Sequence, residues 1–327
     1  PLPHGGKNII NLYTQTIPGE LTSINNSAVL SINGIRDRLR VLLVSGLPNS
    51  GTRTWRNLLK SDSSVDLVHF TILRPPEKQD GVPVNELSLI AFPTRELFLD
   101  KIDDFDLIIF DRFKRRGILP TAYLENIVNY VQTGGALLIA AGPDFASAAS
   151  ISRSPLQAVL PAQPNGRVRD QKFQPRLSDL GYRHPVTQDL GDPETWGPWL
   201  RQIDVDQTQG QAVLNGIDET PLLILERVQD GRVALLLSDQ TWLWGRDYEG
   251  GGPQGELLRR LAHWLMKEPE LEEEVLSAEQ TESGVVITRR TLEDTVQSAR
   301  VVSPSGQSTE VTFDKVRDGE FKAVFQS

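Results

Sequence analysis

Cysteine is absent from the 327 residues, methionine occurs once, as Met266, and histidine four times. Each shortage closes a class of chemistry. Without a thiol there is no disulfide framework, no cysteine zinc site, no thiolate nucleophile and no iron–sulfur cluster. The redox compartment stays open, because a cysteine-free chain suits oxidising and reducing surroundings equally. Positive charge is also short: 34 Lys and Arg stand against 43 Asp and Glu, a formal net charge of −9. General nucleic-acid binding needs a cationic footprint that displaces counterions from phosphates, so that class is set aside. Long apolar runs are missing as well. No stretch approaches the ~20 apolar residues of a membrane span, and no cationic-then-apolar signal segment is present. The first residue is not Met, and the last residues, 321–327, stop inside what reads as a strand. The chain is therefore expected to be an excised part of a longer protein.

At ~100–200 residues per domain, this length suits one large domain with attachments, or two domains. From Arg40 onward, short apolar runs alternate with helical patterns. The runs are 41–44, 65–70, 87–92, 107–110, 136–140, 222–225 and 233–237, several of them continuously apolar, as strands buried on both faces are. A helix begins at Pro120, carries Leu124, Ile127, Val128 and Val131 on one face and stops at Gly134-Gly135. Another begins at Pro253 with Leu257, Leu258, Leu261 and Leu265 on one stripe and ends before Pro269. The expectation is an α/β domain over 39–270 with a doubly wound, mostly parallel sheet of flavodoxin-like type. Residues 1–38 read as the end of a β-sandwich module. Residues 275–327 read as a partial C-terminal one, with hairpin turns at Pro304-Ser305-Gly306 and Arg317-Asp318-Gly319.

Ligands of open α/β sheets sit outside the carboxyl ends of the strands. That rule singles out Ser45, Asn49, Asp111, Arg112, Gly142, Asp144, Ser238 and Asp239. Asp111, Asp144 and Asp239 form one candidate set for a hard divalent cation, set against the ordinary work of Asp in starting turns and capping helices. The loop from Gly46 to Thr52 has the spacing of a phosphate-binding loop, but Thr52 stands where the lysine belongs, so it reads as a turn into a helix over 52–59. Gly250-Gly251-Gly252-Pro253 precedes the long helix, yet Asp247, Glu249 and Glu256 beside it would repel an anion. The basic cluster from Arg112 to Arg116 reads as a solvated loop. Among Trp196, Trp199, Trp242 and Trp244, core packing accounts for at least half, and Trp242 is the candidate pocket wall. His184 is the histidine in an evident loop; His69, within an apolar strand, and His263, on a helix, read as structural.

Several longer stretches carry a resemblance. The run 105–110, a helix followed by 130–142, and His184-Pro185-Val186-Thr187 resemble the class I glutamine amidotransferase-like superfamily. Residues 38–46, 238–244 and 249–253 resemble its uncharacterised branch in bacterial membrane proteins, where such domains lie between β-sandwich segments and membrane helices. The likeness covers about residues 38–270. It implies a parent anchored in a bacterial inner membrane, with this part periplasmic. Amidotransferases need a cysteine on a tight turn and a later His-x-Glu, because a thiolate attacks the amide while histidine, oriented by the carboxylate, manages protons. Here the turn falls at Ala141-Gly142-Pro143 and the later strand ends in Ser238-Asp239-Gln240. Nucleophile and base are both missing, so glutamine hydrolysis by that route is excluded.

The leading expectation is a non-catalytic binding or assembly module without a cofactor, whose partners are other domains of the same membrane-anchored chain or complex. Two alternatives stand beside it. One is a hydrolase using Ser45 or Ser238 with His184, or a metal held by Asp111, Asp144 and Asp239. The other is a small-ligand sensor with Trp242 and Asn49 lining the pocket.

Overall fold

A computed structural model describes residues 6–22, 24–34, 38–46, 49–71, 93–115, 117, 119–281, 284–303 and 306–326. It opens with an antiparallel ribbon of β1 (Gly6–Tyr13) and β2 (Ser27–Gly34). The central region then runs β3 (Leu39–Ser45), α1 (Thr52–Ser61), β4 (Val65–Thr71), β5 (Leu107–Asp111), α2 (Thr121–Gln132) and β6 (Ala136–Ala140). It continues with β7 (Ala162–Arg169), β8 (Arg176–Leu177), β9 (Gln202–Gln207), β10 (Gln211–Asn215), β11 (Pro221–Val228), β12 (Gly231–Leu236) and α3 (Gln254–Leu265). After it come β13 (Val275–Thr281), β14 (Gly284–Arg290), β15 (Ala299–Val302), β16 (Ser308–Val311), β17 (Asp314–Arg317) and β18 (Glu320–Phe325).

The doubly wound, flavodoxin-like expectation fails. The protein is β-rich: α-helices of 10, 12 and 12 residues stand beside an eight-stranded mixed sheet and several small antiparallel sheets. The large sheet has the order β4-β3-β5-β6-β12-β11-β10-β8. Strands β4 to β12 along that order are parallel, and β11, β10 and β8 pair antiparallel. The physical reason lies in the connections. A parallel crossover takes roughly a dozen residues or more, whereas β11 and β12 are separated only by Gln229 and Asp230, with Gln229 at φ 52°. Two consecutive apolar runs therefore form a hairpin. Ribbon β7–β9 and short 3-10 turns fill much of the excursion between β6 and β12. The expected strand over 87–92 lies outside the described residues.

Both faces of the parallel half are covered, which is why its runs are continuously apolar. Val41, Leu43, Leu107, Ile109 and Leu138 pack with Trp55 and Leu59 of α1 and Leu257, Leu258, Leu261 and Leu265 of α3. Leu42, Val44, Ile108, Phe110 and Ile139 pack on the other side with Leu124, Ile127 and Val131 of α2. C-terminal to this core, β13-β14-β18-β17 form one four-stranded sheet and β15-β16 a hairpin.

Candidate functional site

Strand register builds the site. Ser45, the last residue of β3, pairs with Thr71 of β4 on one side and Asp111 of β5 on the other, and Asp111 pairs with Ala140 of β6. Paired residues of neighbouring strands lie about 4.8 Å apart and face the same way, so Ser45, Thr71 and Asp111 share the sheet face that carries α1 and α3. His69, two residues before Thr71, shares it too. Its Nε2 is 3.0 Å from Ser45 Oγ and 3.3 Å from Thr71 Oγ1. Burial, together with the Arg56 and Lys60 charges, holds the imidazole below its ordinary pKa, which favours the neutral ring.

Asp111 is 5 % exposed, and its Oδ2 has no hydrogen-bond partner among the described residues. Burial pushes its carboxyl up to about 7, with the Arg112 charge opposing the rise and Asp239 adding to it. A carboxyl in that state is a donor when protonated and an acceptor when ionised, both near neutral pH.

Arg112 follows at φ 49°, in the left-handed region, its N–H donating to Ala140 O at 2.9 Å. Its side chain crosses the end of β6 directly over Gly142: a Cβ there would stand 2.7 Å from Arg112 Nε. Gly142 is therefore the residue that leaves the guanidinium its path. Nη1 reaches Asp239 Oδ2 at 3.2 Å. Asp239 also lies 3.5 Å from Arg201 Nη1 and accepts from Gln240 Nε2 at 2.8 Å. Arg201 Nε in turn donates to Asp170 Oδ1 at 2.6 Å. The result is a charged wall beside a buried acid.

The remaining candidates are placed elsewhere or otherwise employed. Asp144 Oδ1 is 2.8 Å from Lys114 Nζ, and the described residues contain no group of three acidic or histidine side chains able to hold a metal. Asp111, Asp144 and Asp239 thus do not assemble into a cation site. Ser238 Oγ donates to Arg201 O at 2.6 Å and accepts from Gln240 N–H, which fixes the turn after β12. Asn49 Oδ1 accepts from Gly51 N–H at 2.7 Å, shaping the turn into α1. Trp242 is half-buried, and a Cβ on Gly51 would meet its Cδ1 at 3.3 Å. Trp196, Trp199 and Trp244 are core residues, with ring centroids 5.2 Å apart for Trp196–Trp244 and 4.8 Å for Trp199–Trp244.

His184 is not within reach of either serine. It packs edge-on to Trp264 near the end of α3 and lies 3.4 Å from Glu273 Oε1, while α3 begins near the carboxyl end of β12, where Gln254 Nε2 donates to Thr241 O. His184 is therefore at the opposite edge of the sheet from Ser45 and Ser238. Its Nδ1 accepts from Val186 N–H, which puts the ring proton on Nε2, facing Glu273.

Sequence reasoning read His69 as structural and did not single out Arg201 or Gln240 as candidate site residues. The signal for His69 was present, a polar residue at two-residue spacing from Thr71 in a strand; its facing Ser45 depends on a register that only the folded sheet supplies.

No family model and no curated protein matches the sequence. Among solved structures, the chain is similar to two cytoplasmic proteins from Salmonella typhimurium, the second from strain LT2. The first matches with 15% identity over 80% of this chain and 96% of its own, TM-score 0.49. The second gives 15%, 80%, 97% and 0.49. An exo-beta-1,4-mannosidase from Opitutaceae bacterium strain TAV5 matches at 15% identity over 71% of this chain and 37% of its own, TM-score 0.40. None of these matches supports the amidotransferase-like resemblance. Among the described residues, no helix is long and apolar enough to cross a membrane.

Proposed function

We propose that the protein is a non-catalytic binding module that holds a small polar ligand where the parallel strands β3, β5 and β6 end. One observation carries this reading: the Asp111 carboxyl is buried beside Ser45, its Oδ2 has no partner among the described residues, and the next residue, Arg112, is paired to Asp239. A buried polar atom without a partner costs free energy on the order of 1–3 kcal/mol, and a ligand donor or acceptor removes that cost. Strands β4 and β5 flank β3 on opposite sides, and open sheets take ligands outside the carboxyl ends of such strands. For the cellular setting we propose a bacterial protein anchored in the inner membrane with this part periplasmic, on the sequence resemblance alone; fractionation of native cells tests it.

Thermal-shift measurements against amino acids, sugars and short carboxylic acids test the binding reading. Ligands that stabilise the wild type should lose their effect in Asp111→Leu, and a screen with no stabilising compound would refute it. The Ser45–His69 distance of 3.0 Å favours a second reading, hydrolysis by a serine–histidine dyad. Against it, Ser45 is 1 % exposed, and among the described residues no carboxylate orients His69. Ester turnover abolished by both Ser45→Ala and His69→Ala would establish the dyad over the binding module.

A further inference from the structure

A groove of about 560 Å³ runs between α1 and α3, with Trp242 at its carboxyl-edge end. That volume is within the range of small-molecule sites, about 300–1,000 Å³. Arg53 and Arg246 line it, and no carboxylate does among the described residues. The contrast with the rest of the molecule is sharp. Four other clefts, of about 450 to 850 Å³, each carry at least one acidic residue, and most arginines of this acidic chain are tied to carboxylates. Among the described residues, no carboxylate pairs with Arg53 or Arg246.

The position of Arg53 adds to the imbalance. It stands in the first turn of α1, which contains no acidic residue and has no side-chain cap, so its charge adds to the positive end of the helix dipole instead of offsetting it. Gln254 and Gly255, in the first turn of α3, line the same groove, and space is open where a Cβ on Gly255 would stand. Both arginines are exposed at the groove, and a guanidinium there pairs with carboxylate or phosphate through two parallel hydrogen bonds. The half-buried indole of Trp242 lines the groove as apolar surface for a ring, and Asn57 lines it as a neutral donor and acceptor.

We infer that the groove between α1 and α3 binds a small molecule that joins an oxyanion to a ring, the oxyanion held by Arg53 and Arg246 and the ring lying on Trp242. Neither Ser45 nor Asp111 lines this groove, and the inference does not depend on them. Calorimetric titration of the full 327-residue chain tests it with adenosine monophosphate, benzoate and adenosine. Binding of adenosine monophosphate in preference to benzoate assigns the oxyanion as a phosphate monoester; the reverse assigns a carboxylate. Affinity should fall about tenfold in Arg53→Gln and again in Arg246→Gln, the effect of losing one charge-assisted hydrogen bond at each step. Trp242→Ala should weaken the ring-bearing ligands, and added salt should weaken binding throughout. Arg56→Gln removes the same charge from α1 outside the groove and should change affinity by less than about twofold. The inference is overturned if neither anion binds at millimolar concentration, if adenosine binds as well as its monophosphate, or if Arg56→Gln weakens binding as much as Arg53→Gln.

Discussion

Asparagine at position 111 keeps the branched, planar shape of aspartate while removing its titration, so Asp111→Asn isolates the charge of the buried carboxyl. Burial raises that group from 3.8 to about 7 despite the opposing Arg112 charge. At about 1.36 kcal/mol per pKa unit, the ionised form costs the folded state about 4 kcal/mol relative to the unfolded chain. The pH dependence follows from which state holds the proton. Below pH 3.8 both states are protonated and the cost vanishes. Between 3.8 and about 7 the unfolded chain releases its proton while the folded one keeps it, so stability falls by about 1.4 kcal/mol per pH unit. Above that window both are ionised and the full cost remains. Asp111→Asn lacks the slope, so it should match the wild type only below pH 3.8, gain on it steadily from there to about pH 7, and exceed its stability by up to about 4 kcal/mol at mildly alkaline pH. Urea unfolding of both proteins across this pH range, analysed by linear extrapolation, measures the difference. Parallel stability curves, or a variant less stable than wild type above neutrality, would refute the reasoning.

Three further outcomes rest on the same geometry. Glu273 accepts from Trp264 Nε1 at 2.9 Å and pairs with Arg227 and His184; burial pushes its carboxyl up, and these two partners reverse that and hold it well below the usual carboxylate range. Its contribution is present above its unfolded pKa of 4.5 and is lost as pH falls through the depressed value, so Glu273→Gln should lose about 3–5 kcal/mol at neutral pH and little in strong acid, read by denaturant titration at both. Gly46→Ala places a Cβ 2.0 Å from the Arg112 carbonyl oxygen, a backbone atom, and should lower stability by about 1–3 kcal/mol; an unchanged melting temperature contradicts the close approach of these two strand ends. Gly142→Ala would push the Arg112 side chain out of its path to Asp239, and a crystal structure of the variant with that 3.2 Å ion pair intact would show that Gly142 does not set the path.

What the sequence discloses about this molecule divides along the source of the forces. Runs such as 107–110 and 136–140 are continuously apolar because both faces of β5 and β6 are covered, so composition alone located them. Strands β7, β9 and β10 are held by backbone pairing with many polar side chains, as in Gln202–Gln207, and leave no apolar run to read. Direction was misjudged for β11 although a length argument was available: seven residues between the apolar runs 222–225 and 233–237 are too few for a crossover. The site divides in the same way. Ser45, Asp111, Arg112 and Asp239 could be picked out because polar residues that directly follow an apolar run mark a strand end. Their couplings could not, since Arg112 meets Asp239 only after β12 takes its place beside β6. The unusual backbone of Arg112 leaves no mark on its own residue type, because arginine has no preference for positive φ. Its trace is displaced onto Gly142, thirty positions away, where the absence of a side chain keeps open the route that the arginine takes. Gly142 is thus read from the folded chain as the residue that leaves the Arg112 side chain its route to Asp239.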